Sequence, residues 1–130
     1  MTKPITPTLH GLIDFAFSGA LLAGPAVLHL NDAATKTYNA AGASILVGNA
    51  FTDTPVGLYP ELTFKDHQKV DLAFLAGLSL FTLAKFIRKD KKVLPFHLGF
   101  LAAALVNYAL TDYNAAPAKK ALALEEPLVL

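Results

Sequence analysis

A chain of 130 residues has room for a single domain, and 16% charged residues is sparse for a soluble one, since small soluble proteins expose the most surface per volume and carry ~25% charge. A hydrophobic content of 54% and a positive mean hydropathy fit a chain whose exterior meets lipid rather than water. A net charge of +1, with no glycine-rich phosphate loop and no basic–aromatic interleaving, excludes nucleic acid as a partner, and the absence of cysteine excludes disulfides, thiolate metal sites and cysteine nucleophiles.

The N-terminal segment leads through Lys3 and Pro4 into a stretch carrying His10 and Asp14. A cleaved signal has a clean apolar stretch instead, so this segment reads as mature helix. Four apolar stretches follow. The first spans 9–30 and stops at Asn31-Asp32; the second spans 34–52 and stops at Asp53-Thr54-Pro55. The third spans 66–87, ahead of the basic run 88–92, and the fourth spans 93–112, with a polar tail over 113–130. Their length and Ala/Leu content predict helices rather than strands. Pro25 is expected to kink the first helix.

The spans are uneven. A bilayer-crossing helix needs ~20 mostly apolar residues. Only the fourth stretch is uncharged over such a length, from 93 to 111; the third is uncharged only from 72 to 84, leaving Asp71 and a snorkelling Lys85 at its ends. A soluble all-α bundle is therefore the structural alternative. Small residues recur at four-residue spacing in Gly19/Ala23, Ala20/Gly24, Ser44/Gly48 and Ala73/Gly77, a pattern that lets membrane helices approach closely.

The chain also repeats itself. His10-Gly-x-x-Asp14 aligns with His67-Gln-x-x-Asp71 at an offset of 57, and Ala50-x-Thr52-Asp53 aligns with Ala109-x-Thr111-Asp112 at an offset of 59. Two landmarks in the same order imply a duplicated helical hairpin, with repeat 1 at about 8–53 and repeat 2 at about 66–112. The predicted architecture is all-α: one membrane domain, a four-transmembrane-helix bundle of two tandem hairpins related by a pseudo-two-fold axis along the membrane normal. Both repeats then share one orientation, which gathers His10, Asp14, His67, Asp71, Thr52-Asp53 and Thr111-Asp112 at one interface.

With these motifs in place, and with Pro25 late in helix 1 and Thr52-Asp53-x-Pro55-x-Gly57-Leu58 after helix 2, the chain resembles the SPW-repeat family of small bacterial membrane proteins over about residues 8–112. It departs from the family in lacking the Ser-Pro-Trp triplet: Gly24-Pro25-Ala26 and Phe81-Thr82-Leu83 stand in those places. The resemblance implies a bacterial membrane location and a paired-hairpin fold, and no particular activity.

The chemistry is concentrated in the polar layer. His10/Asp14 and His67/Asp71 are i, i+4 pairs, so each pair shares a helix face. Two imidazoles and two carboxylates suit zinc or another divalent cation, with Asp53 and Asp112 as outer partners accepting hydrogen bonds from the two histidines. The alternative is a structural network, in which carboxylates satisfy free N–H groups at the helix starts. His29 and His97 lie toward the opposite side, and haem ligation by that pair has little support. Tyr38, Tyr59, Tyr108 and Tyr113 suggest an aromatic belt at helix ends. Ser18, Ser44 and Ser79 have no base within reach of a sequence argument, so catalysis is left open.

Two functions follow from the sequence. One is a non-catalytic structural or accessory component that forms homo-oligomers or joins a larger membrane complex. The other is a metal-dependent membrane enzyme or cation- or proton-handling protein that uses the His/Asp layer. Lys36, Lys85, Arg88, Lys89, Lys91 and Lys92 lie opposite that layer, against Lys3, Lys65, Lys69, Lys119 and Lys120 on its side. The density of the 85–92 cluster favours a cytoplasmic basic loop, an inner-membrane location and periplasmic termini.

Overall fold

Three of the four long helices start at a side chain that caps free backbone N–H groups. Thr6 accepts from the Leu9 amide, Asn31 from Ala34 and Thr63 from Asp66. The helices so begun are α1 (Pro7–Val27), α2 (Asp32–Ala50) and α3 (Phe64–Phe81); a four-residue α4 (Lys85–Arg88) and α5 (Val93–Leu110) complete the order. The computed structural model describes residues 2–115. The tail expected from 113 onward, with Lys119 and Lys120, lies mostly outside the described residues. The described chain is all-α, with two isolated β-bridges and no strand.

Two of the breaks are tighter than the sequence implies. Residue His29, at φ 53°, takes the left-handed conformation that ends α1, and the Leu30 amide returns to the Pro25 carbonyl. Pro25 itself is buried in the last turn of α1. The third helix, expected to reach Ile87, stops at Phe81. The chain turns through Thr82–Ala84, which lets Ile87 become fully buried and Arg88 Nε donate to the Leu83 carbonyl. Across this end of the bundle Asn31 Nδ2 donates to Asp90 Oδ2 at 3.0 Å, while Asp90 Oδ1 accepts from the Lys92 and Val93 amides at the start of α5.

α1 packs most closely on α2, and α3 on α5. The α1–α2 crossing is set by Gly42. A Cβ there would stand 3.0 Å from Leu21 Cβ and 3.1 Å from the Ser18 carbonyl oxygen, so only glycine admits this approach. Of the small pairs read from the sequence, Ala20/Gly24 makes a close approach, a Cβ at Gly24 standing 3.0 Å from the Phe96 ring, whereas a Cβ at Gly19, Gly48 or Gly77 meets nothing within 4 Å. At the other end, the loop after α2 folds back so that Asp53 N–H donates to the Leu62 carbonyl and Leu62 N–H to that of Phe51. The N-terminal segment does the same with the end of α5: Ile5 N–H donates to the Leu110 carbonyl and Asp112 N–H to that of Ile5.

The apolar core joins Leu21, Tyr38, Leu78, Ile87, Val93 and Phe100, and Phe100 meets Phe17 and Phe74 edge-on. The exterior is as apolar as the core. Leu12 and Leu22 on α1, Leu46 and Val47 on α2, Leu72 and Leu80 on α3, and Leu105 and Val106 on α5 are all exposed. α1 and α5 are long and apolar enough to cross a membrane. α2 and α3, of 19 and 18 residues, match them in length but are more polar.

Two predictions follow from this packing. Gly42→Leu should overpack the α1–α2 crossing and lower thermal stability by ~1–3 kcal/mol. Gly19→Ala, which meets open space, should be neutral or raise stability by about 0.5–1 kcal/mol through helix propensity; equal effects would show that Gly42 does not set the crossing. The second concerns Asp90. Its hydrogen bonds from Asn31 and then from the Lys92 and Val93 amides hold its carboxyl below the usual carboxylate range. A depressed folded-state pKa gives stability that is present above the unfolded value and lost as pH falls through the folded one. Asp90→Ala should therefore lower the melting temperature at neutral pH, with a gap to wild type that closes below about pH 4.

Candidate metal centre

The buried stripe of α1 runs His10, Asp14, Ser18, Leu21 and Pro25, spacings of three and four that define one helix face. In its first half that face is polar, and it points inward. α3 presents His67 and Asp71 in the same manner, so both i, i+4 pairs converge on one point between the helices. His10, Asp14 and His67 are at most 5% exposed, and the Asp71 side chain is 18% exposed. One ligand atom from each of the four residues lies within 4.8 Å of the others.

The short distances define the shape. His10 Nε2 lies 3.3 Å from Asp14 Oδ2, 3.1 Å from Asp71 Oδ2 and 3.3 Å from His67 Nε2. His67 Nε2 lies 3.1 Å from Asp14 Oδ2 and 3.2 Å from Asp71 Oδ1. Each Nε2 therefore faces three groups at nearly equal range, where one N–H would serve only one of them.

The protons can be placed from the other side of each ring. His10 Nδ1 lies 2.8 Å from Thr111 Oγ1, and His67 Nδ1 lies 2.7 Å from Thr52 Oγ1. Each hydroxyl already donates its one hydrogen within its own helix, Thr111 to the Asn107 carbonyl at 2.5 Å and Thr52 to the Gly48 carbonyl at 2.6 Å. Each threonine oxygen can then only accept, so both Nδ1 atoms carry a hydrogen. In neutral rings the two Nε2 atoms are then bare lone pairs, turned toward one another and toward two carboxylates. The Nδ1 atoms thus meet Thr52 and Thr111, the residues directly before the expected Asp53 and Asp112. The neighbouring threonines hold the rings, because a threonine in the last turn reaches inward with its hydroxyl while its carbonyl-bonded hydrogen stays in the helix.

Further contacts fix the carboxylates. Tyr113 O–H donates to Asp71 Oδ2 at 2.7 Å, and Asn107 Nδ2 reaches Asp14 Oδ1 at 3.5 Å. Burial and then the Asp71 charge push the Tyr113 phenol well above its ordinary value, so it remains a donor. Phe64 and Tyr113 stack at 5.1 Å and both meet the His10 ring edge-on, at 5.3 and 5.4 Å, closing the cluster on that side. Beside Asp14 and Asp71 a cavity of about 30 Å³ is also lined by Asn107 and Tyr113, room for an ordered water. Asn107 Oδ1 is buried there without a hydrogen-bond partner.

The remaining candidates separate from this centre. His97 has both ring nitrogens engaged: Nδ1 with the Tyr38 hydroxyl at 2.8 Å, Nε2 with the Leu78 carbonyl and Thr82 Oγ1, each at 2.9 Å. It offers no nitrogen for haem, and His29 is exposed. Tyr38 and Tyr113 are buried hydrogen-bonding groups rather than belt residues, while Tyr59 is exposed. Ser18, Ser44 and Ser79 each donate to the carbonyl four residues back. Thr52, Thr111 and Asn107 are the functional neighbours that sequence reasoning missed; the Thr-Asp repeat marked their position but drew attention to the aspartates. No protein-family model matches the chain, and no curated protein or solved structure matches it.

Proposed function

We propose that this is a small integral membrane protein that binds one divalent cation such as zinc through His10, Asp14, His67 and Asp71, and that it acts as a metal-dependent membrane enzyme. The observation that carries the reading is the arrangement of unprotonated acceptors. Two imidazole Nε2 atoms and two carboxylates converge, each Nε2 standing 3.1–3.3 Å from the other ring and from both carboxylates. A cation satisfies all four. One ligand atom from each of the four lies within 4.8 Å of the others, a grouping able to close on a small cation such as zinc, whose nitrogen and oxygen ligands sit at ~2.0–2.2 Å. The threonine hydroxyls supply the outer hydrogen bonds that orient metal-bound imidazoles. A reactive rather than purely structural metal is favoured by the adjoining water-sized cavity, which Asp14 and Asp71 line. The metal-free solution is a second proton on each ring, giving two imidazolium–carboxylate pairs.

The membrane reading extends to four spans. Exposed aliphatic side chains ring all four long helices while the polar groups turn inward, the distribution expected in lipid. We read the helices as two tandem hairpins about a pseudo-two-fold axis, in keeping with the SPW-repeat resemblance. Residues 57 or 59 apart meet one another: His10 with His67, Tyr38 with His97, and Asn31 with Asp90. The bridges Ile5–Thr111 and Thr52–Leu62 exchange between halves in the same way. Homo-oligomerisation or docking into a larger membrane complex, a bacterial inner-membrane location and periplasmic termini complete the proposal.

Metal analysis of the purified protein tests the first part. About one divalent ion per chain is expected, lost in His10→Ala and His67→Ala. Thr52→Val/Thr111→Val should weaken metal affinity about 10–100-fold while keeping full occupancy at saturating metal. A folded wild type that binds no divalent ion would instead establish the doubly protonated quartet. The membrane reading predicts fractionation with membranes through a carbonate wash, and alkaline phosphatase activity when that reporter is fused after Leu130. A soluble folded monomer would overturn the first expectation, and a fluorescent cytoplasmic reporter at the same position the second.

A further inference from the structure

Around the bundle, α2 packs on α1 and α3 on α5, which leaves a cleft between α2 and α3. At the end far from the cluster this cleft widens into a cavity of about 440 Å³ between Ala41 and Ser44 on α2 and Phe74, Gly77 and Phe81 on α3, floored by His97. Toward the cluster it narrows to about 60 Å³ between Ser44 and Gly48 on one wall and Phe74 on the other, and there it is lined by Asp14, His67 and Asp71. Ser44 and Phe74 line both cavities, so the two adjoin along the α2–α3 cleft. From Thr37 to Gly48 the groove follows twelve residues of α2, about 16 Å of helix. Asp71, the least buried of the four ligands, lies at its narrow end.

We infer that the substrate of this centre is a long-chain amphiphile that enters sideways from the bilayer, its chain in the α2–α3 groove and an oxygen-donor head group at the metal. The inference rests on the metal reading above and specifies what the metal acts upon. Three observations select this occupant. The imidazole side of the cluster is covered by the Phe64 and Tyr113 rings, which bars a solute from that direction. The groove walls are apolar or small, and the exposed side chains flanking it, Val47 and Leu80 among them, belong to the surface that meets lipid. The ionisable ligands lie at one end only, as a molecule with one polar head and one apolar chain requires.

The glycines give a test that leaves the ligands intact. A Cβ at Gly48, Gly77 or Gly99 meets nothing within 4 Å; the first two line the groove and Gly99 does not. Protein in phosphatidylcholine nanodiscs is loaded with Co²⁺, and its visible absorption is followed as dodecanohydroxamic acid or acetohydroxamic acid is added. The long-chain probe should perturb the cobalt spectrum in wild type and in Gly99→Leu. Gly48→Leu and Gly77→Phe should weaken that response about tenfold or more while still binding stoichiometric Co²⁺. Because bilayer partitioning of the probe is the same for every variant, the difference between variants reports the groove. If acetohydroxamic acid acts as readily, or if the groove variants respond like wild type, lateral entry is wrong although the metal site stands. If no Co²⁺ binds to the folded protein, the metal reading itself fails and takes this inference with it.

Discussion

Two threonine hydroxyls determine what the centre of this bundle can be. Thr52 and Thr111 each give their single hydrogen to a carbonyl of their own helix, so each can only accept from the imidazole above it. That fixes both Nδ1 atoms as donors and turns both Nε2 atoms inward. Had the hydroxyls been free to donate, either ring could have directed an N–H at a carboxylate and the cluster would close as an ordinary neutral hydrogen-bond network. With the hydroxyls committed, the four inward groups of neutral rings are all acceptors, and a buried set of acceptors demands positive charge, from a bound cation or from a second proton on each ring.

The same contacts hold the fold's two halves together. His10 belongs to α1 but is held by a threonine after α5, and His67 of α3 is held by one after α2. The backbone follows the same exchange, since Ile5 pairs beside Thr111 and Leu62 beside Thr52. Neither α1–α2 nor α3–α5 can therefore complete its own polar layer. At the opposite end Asn31 meets Asp90 and Tyr38 meets His97, again across the halves. Polar ties at both ends bracket an apolar middle in which the helices need only fit.

The sequence disclosed the four residues of the cluster because their i, i+4 spacing and their recurrence 57 residues later are local facts. It disclosed the helices for the same reason, and missed the break at Phe81 because nothing between Leu80 and Ile87 is a poor helix former. That break is set by tertiary burial of Ile87, which no window of sequence contains. The ring partners were hidden by distance, with 101 residues separating His10 from Thr111. Chemical bias hid them further: beside each threonine stands an aspartate, the more obvious partner for a histidine. Gly42 was hidden because a contact glycine and an idle one look alike. Gly19 and Gly77 fit a small-residue spacing and touch nothing, whereas Gly42 fits none and sets the α1–α2 crossing.

The cost of burying this centre bears on why it has a side door. Two carboxylates and two imidazoles buried together are costly, and packing the bundle shut around them would have been the simpler course for a purely structural layer. Phe64 and Tyr113 do close it on the imidazole side. On the carboxylate side the packing stops short: Gly48 and Gly77 leave space that any larger residue would fill, Asp71 stays partly exposed, and Asn107 keeps an oxygen unpaired. Each of these is a small loss of stability, and Gly48, Gly77 and Asp71 line the path that leads from the cluster between α2 and α3. A layer that only joined helices would gain from closing that path, whereas a centre that exchanges a ligand with the bilayer requires it open.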